Sequence, residues 1–132
     1  MTFPFLSILR RVRPRARRPT PRQGRIRDTK YLAWVHEQPP LVLEHDPACI
    51  GRPYCYLTAH HVKEHPGSPK NDRRAVPLWR CHHQLAFGKF TVEHGREAWE
   101  ERYGIDLELA IHELRQEYLA EHSLFRKIAR AL

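Results

Sequence analysis

Residues 1–27 carry nine arginines (Arg10, Arg11, Arg13, Arg15, Arg17, Arg18, Arg22, Arg25 and Arg27), no acidic side chain, and prolines at 4, 14, 19 and 21. Like-charge repulsion and proline's missing backbone donor both oppose a stable helix there, so any core must come from the rest of the chain. Of the 23 lysines and arginines, nine lie in this stretch, leaving 14 against all 15 acids; the net charge of +8 therefore belongs to the arm. A chain of 132 residues has room for one small domain with one modest core. The expected organisation is a disordered Arg/Pro-rich arm over 1–26, a small α+β domain over 27–122 and a C-terminal tail over 123–132.

A polyarginine arm beside a nearly neutral domain suits a phosphate backbone, bound without base readout and with strong salt dependence. Arginine rather than lysine strengthens that reading, because the guanidinium fork pairs with phosphate in two places. The expected partner is DNA, with RNA also open; the plainer alternative is a solubilising tail. The apolar start Thr2–Leu9 is too short to span a bilayer, and its arginines follow rather than precede it, so no membrane partner and no signal peptide are expected. Three cysteines do not make a disulfide framework, and a reducing cytoplasm is the default compartment.

Beyond the arm, Asp28 and Thr29 offer a cap for a short amphipathic helix over 30–38, which must stop before Pro39-Pro40. Leu41–Leu43 and Tyr54–Ala59 are the better β candidates. Residues 65–74 read as a loop, and Val76-Pro77-Leu78 leads into a helix from Arg80 to about Phe87. A helix from about Glu93 to Tyr103 ends at Gly104, and Asp106 caps a last helix over 107–121 or a little beyond.

Within this domain two histidine pairs, His60-His61 and His82-His83, flank the loop and the Val-Pro-Leu segment. Consecutive side chains of a strand point to opposite faces, so a doublet can hold a cation with one imidazole and keep the other as a base. Imidazole suits both tasks, since it ligates metals when neutral and takes up a proton near neutral pH. Either pair could also be ordinary polar surface, as His36, His45, His65, His112 and His122 are read to be.

Together, Ala59-His60-His61-Val62, the Asp72-Arg73-Arg74-Ala75-Val76-Pro77-Leu78 run and His82-His83 resemble an HNH nuclease. Tyr31-Leu32-Ala33-Trp34-Val35 before them and Ala98-Trp99, Arg102-Tyr103-Gly104-Ile105-Asp106 after them sharpen the likeness. Over roughly residues 25–110 the chain is similar to phage and prophage HNH endonucleases, including the recombination-enhancement, RecA-dependent nucleases. The resemblance implies a ββα-metal (His-Me finger) core and a DNA endonuclease or nickase of weak sequence preference. One divalent cation, magnesium, manganese or zinc, would serve it, and a recombination protein would be a fitting partner. By the same resemblance His61 is the general base, His60 and His83 are metal ligands, and Asn71 or Asp72 orients the base. The family's further helix histidine falls at Phe87; His94 is the obvious substitute. That departure keeps open a non-catalytic nucleic-acid-binding protein on the same scaffold.

Many HNH proteins also hold a structural zinc with two Cys-x-x-Cys knuckles. The matching positions here are Pro40, Leu43, Trp79 and His82, none of them cysteine. Cys49, Cys55 and Cys81 could build a replacement with His82 or His45, although such thiols are more often small core residues. A zinc-stabilised interaction module is the third functional class the sequence allows.

Overall fold

The computed structural model describes residues 24–49, 55–84 and 86–132. Most of the arm, with Arg10, Arg11, Arg13, Arg15, Arg17, Arg18 and Arg22, lies outside the described residues. Among them the chain is a small α+β protein with one two-stranded antiparallel sheet and four helices.

Helix α1 spans Thr29–Glu37 and starts where the sequence offers a cap: the Asp28 carboxylate accepts the Tyr31 N–H. It ends at Gln38, whose backbone is extended ahead of Pro39, as the residue before a proline prefers. Strand β1 (Leu57–His61) pairs with β2 (Ala75–Trp79) in a register that sets His60 opposite Val76 and His61 opposite Ala75. Pro77 sits inside β2 without harm. Its carbonyl accepts the Leu41 N–H, so the face that lacks a donor points away from β1.

Helix α2 (Arg80–His83) follows β2 directly, α3 spans Arg96–Tyr103, and α4 spans Leu107–Ala131. Gly104 closes α3 in the left-handed region, at φ 64°, where glycine carries no Cβ penalty. Asp106 caps α4 by accepting the Glu108 and Leu109 N–H groups.

Several expectations shift. Leu41 reaches β2 by one hydrogen bond but 41–43 form no strand. Val76-Pro77-Leu78 is the middle of β2, and it does lead into a helix at Arg80. The helix after it stops at His83, one turn short of Phe87, because the chain folds back on it. The Gly88 backbone lies so close to the Cys81 carbonyl that a Cβ at residue 88 would sit 1.7 Å from that oxygen. The Val92 N–H then donates to the His82 carbonyl. Helix α3 begins at Arg96 rather than near Glu93, while α4 continues past 122 to Ala131, where neither glycine nor proline interrupts it.

The core lies where α1, β2 and α4 meet. Tyr31, Trp34 and Val35 from α1 pack with Ala75, Val76 and Leu78 from β2 and with Leu107, Ile111, Leu114 and Tyr118 from α4. The α4 residues recur at the spacing of one helical face. Tyr31, Trp34 and Tyr118 form a three-ring cluster with centroids 5.1 to 5.8 Å apart. Such contacts add about 0.5–1.5 kcal/mol per pair beyond simple burial. The Tyr31 hydroxyl donates to the Ala75 carbonyl and so ties α1 to the start of β2, at the edge of the histidine-bearing hairpin.

Candidate metal and proton-transfer centre

An open cleft of about 1110 Å³ runs between the end of β1, α2 and the start of α3. His60, His61 and His83 border it, along with Lys63, Lys70, Glu93 and Arg96. The two strand imidazoles leave β1 in different directions, as adjacent strand residues must. His60 faces α2, where its ring meets that of His83 edge-on with centroids 4.6 Å apart. His61 turns toward the loop between the strands and places Nε2 2.9 Å from Asp72 Oδ1.

Asp72 is 1% exposed and fully engaged. Oδ1 also accepts from Arg25 Nη2 at 3.3 Å, and Oδ2 accepts the Asp28 N–H at 3.0 Å. Burial would raise its pKa, but the Asp28 N–H, His61 and Arg25 together hold the carboxyl below its ordinary range. An ionised carboxylate has no proton to give, so His61 Nε2 is the donor and the lone pair is left on Nδ1. Asn71, the other candidate for orienting the base, instead accepts the Arg73 N–H and starts the turn at Asp72–Arg74.

His83 is fixed by an equivalent argument. The Thr58 hydroxyl has one proton, which it donates to the Leu78 carbonyl at 3.0 Å. It can therefore only accept from His83 Nδ1, also 3.0 Å away, so His83 keeps its proton on Nδ1 and offers Nε2. That Nε2 lies 3.9 Å from Glu93 Oε1. Burial, then His83, His61 and Arg96, pushes the His60 pKa down to about 3, and burial lowers that of His83 as well. Both imidazoles are thus neutral, the form that ligates metals.

The structure therefore brings His60, His61, His83 and Asp72 together, and it puts His94 elsewhere. His94 is exposed and does not border the cleft, whereas its neighbour Glu93 does. Phe87 lies beyond the end of α2, with its ring centroid 3.3 Å from the Arg80 guanidinium carbon. Arg25, read from the sequence as a DNA contact, is held against Asp72, and the neighbouring Ile26 exchanges backbone hydrogen bonds with Lys70 and Asp72. His82 is buried and donates from Nε2 to the Glu44 carbonyl at 2.6 Å, packed on the Tyr103 ring. Thr58 and Glu93 are functional candidates that sequence reasoning missed. Thr58 had a usable signal, since it stands two residues before His60 and so shares its strand face.

A second cluster includes Cys81 of α2. His45, Cys49, Cys55 and Cys81 bring four ligand atoms within 4.8 Å of one another, a group able to hold a metal ion. His82, the alternative fourth member, is committed to the Glu44 carbonyl instead.

No helix among the described residues is long and apolar enough to cross a membrane. Compared with known proteins, the chain matches no family model, no curated protein and no solved structure.

Proposed function

We propose that this chain is a divalent-metal-dependent DNA endonuclease or nickase of the HNH, ββα-metal type. The observation that carries the reading is the pairing of two differently prepared imidazole sets on one cleft. His60 and His83 are neutral and face each other, while His61 is held by a buried carboxylate with its Nδ1 lone pair kept for a proton.

The donor set fits a divalent cation: two neutral imidazoles, one with its tautomer fixed by Thr58, and the Glu93 carboxylate near the available nitrogen of His83. His60, His83 and Glu93 would hold it, and when bound it would stabilise negative charge on the phosphate and on the departing oxygen. The protein's own part is proton transfer and positioning. His61 takes a proton from the attacking water at Nδ1, and Asp72 stabilises the resulting imidazolium without taking its proton. Lys63, Lys70 and Arg96 on the cleft's border give the phosphates cationic partners. The arginines at 10–22 add contacts to the backbone of a long polyanion, which favours DNA of any sequence.

The test is nicking of supercoiled plasmid by the full chain with magnesium, manganese or zinc, with and without chelator, beside His61→Ala. Metal-dependent nicking should fall about 10²- to 10⁴-fold in the variant, with DNA retardation on a gel unchanged. DNA retardation without nicking under any metal would instead mean a binding protein, and undiminished nicking by His61→Ala would remove the proposed base.

A further inference from the structure

We propose that His45, Cys49, Cys55 and Cys81 form a tetrahedral zinc site that is structural, closed by four protein ligands and separate from the histidine cleft. It stands on its own geometry and does not depend on the nuclease reading. His45 Nδ1 lies 3.9 Å from Cys49 Sγ and 3.8 Å from Cys81 Sγ. Zinc bonds of about 2.3 Å to sulfur and 2.0–2.1 Å to nitrogen, opened to the tetrahedral angle, set two such ligands roughly 3.6 Å apart. Those two pairs therefore need to close by only a few tenths of an ångström around an ion, and the widest pair, within 4.8 Å, by about 1 Å.

The ligands arrive from three separate segments: the turn ending at Cys49, the chain just before β1, and α2. Cys49 and Cys81 are buried, yet neither belongs to the apolar core cluster, so these thiols are not filling that core. One of the three sulfurs has a backbone donor, although burial pushes that thiol up to about 12. The Asp46 N–H donates to Cys81 Sγ at 3.2 Å, and the Asp46 carboxylate is itself anchored by the Ala48, Lys89 and Phe90 N–H groups. The His45 ring is stacked on Trp79, which orients its nitrogen toward the cluster. Three soft thiolates and one imidazole select zinc over magnesium or calcium, and a filled coordination sphere leaves no open position for substrate.

Such a site explains how α2 persists. It has four residues and no side-chain cap at Trp79, too little for a helix to hold itself. Zinc would tie Cys81 on α2 to Cys55, two residues before β1, and so hold His83 against His60.

Two measurements on the full chain, purified as thiols, test the proposal. Elemental analysis and native mass spectrometry should give about one zinc per chain. Cobalt exchange should give the thiolate-to-cobalt charge transfer and strong visible bands of a tetrahedral sulfur-rich site. Cys49→Ser and Cys81→Ser should lose the metal and the cobalt spectrum and lower Tm by more than about 10 °C. A His60→Ala, His83→Ala double variant should keep both, because the cleft is a different place. If the serine variants fail to fold, the cobalt spectrum of the unmodified chain still decides. A chain with no bound zinc, a cobalt spectrum without thiolate bands, or zinc lost with His60 and His83 overturns the proposal. So does a pair of the three thiols found as a disulfide in metal-free, folded protein.

Discussion

Replacing Asp72 by asparagine keeps the side chain's shape and reverses its instructions to His61. The carboxylate accepts on both oxygens: Asp28 N–H on Oδ2, and His61 and Arg25 on Oδ1. An amide can accept on one side only. If its oxygen stays toward His61, the amide NH2 is pressed against the Asp28 N–H, two donors in a buried place, at about 1–3 kcal/mol. If it turns over, the Asp28 bond survives and the NH2 faces His61 Nε2 and Arg25. Arg25 is 44% exposed and can swing into water, whereas the Asp28 backbone cannot move away. The second arrangement therefore wins. His61 must then accept at Nε2, its proton moves to Nδ1, and the atom that should take a proton from water already carries one.

Conversions of this type in hydrolytic triads cost roughly ten-thousand-fold in rate, about 5 kcal/mol of transition-state stabilisation. Loss of the charge-assisted bonds should also lower folding stability by about 2 kcal/mol, small beside the rate effect. Asp72→Ala makes the sharper comparison, since it frees His61 to take either tautomer and should lose less activity than Asp72→Asn. The assays are initial nicking rates under saturating metal and 15N shifts of the His61 ring. A wild-type proton on Nδ1, or Asp72→Asn nicking within about tenfold of wild type, refutes the reasoning.

Thr58→Val removes the acceptor that fixes His83, and metal affinity at the cleft should fall about 10- to 100-fold by titration calorimetry. Gly88→Ala forces a Cβ onto the Cys81 carbonyl, so the chain there must shift. A loss of about 2 kcal/mol or more in urea unfolding is expected, where an open glycine position would tolerate the change. Glu108 is held below its ordinary range by its bond to Arg74, with burial opposing and Arg96 assisting. A depressed carboxyl stabilises the fold above its unfolded pKa and loses that contribution as pH falls through the folded value. Glu108→Gln should therefore cost up to about 1 kcal/mol at neutral pH and low salt, as a half-exposed pair allows, and nothing in strong acid.

Legibility from sequence followed the range of the forces involved. The caps at Asp28 and Asp106, the stop at Gly104 and the face formed by Leu107, Ile111, Leu114 and Tyr118 depend on near neighbours, and each could be read directly. His60 and His61 were legible for the same reason, because alternation along a strand sends adjacent side chains apart. The end of α2 was not: residues 84–87 are no worse for a helix than 80–83, and the stop comes from Gly88 returning onto Cys81. That return also decides between Glu93 and His94, since one residue of register in the 91–95 turn chooses which side chain borders the cleft. The convergence of His45 and Cys49 on Cys55 and Cys81 was legible only in part: the sequence offered the three thiols with either His45 or His82, and the fold chooses His45. That choice rests on Asp46 bonding three N–H groups, two of them more than 40 residues away, and no spacing rule carries that information. A small domain with a modest core shows its long-range closures in such buried polar anchors, whose partners only the folded chain supplies.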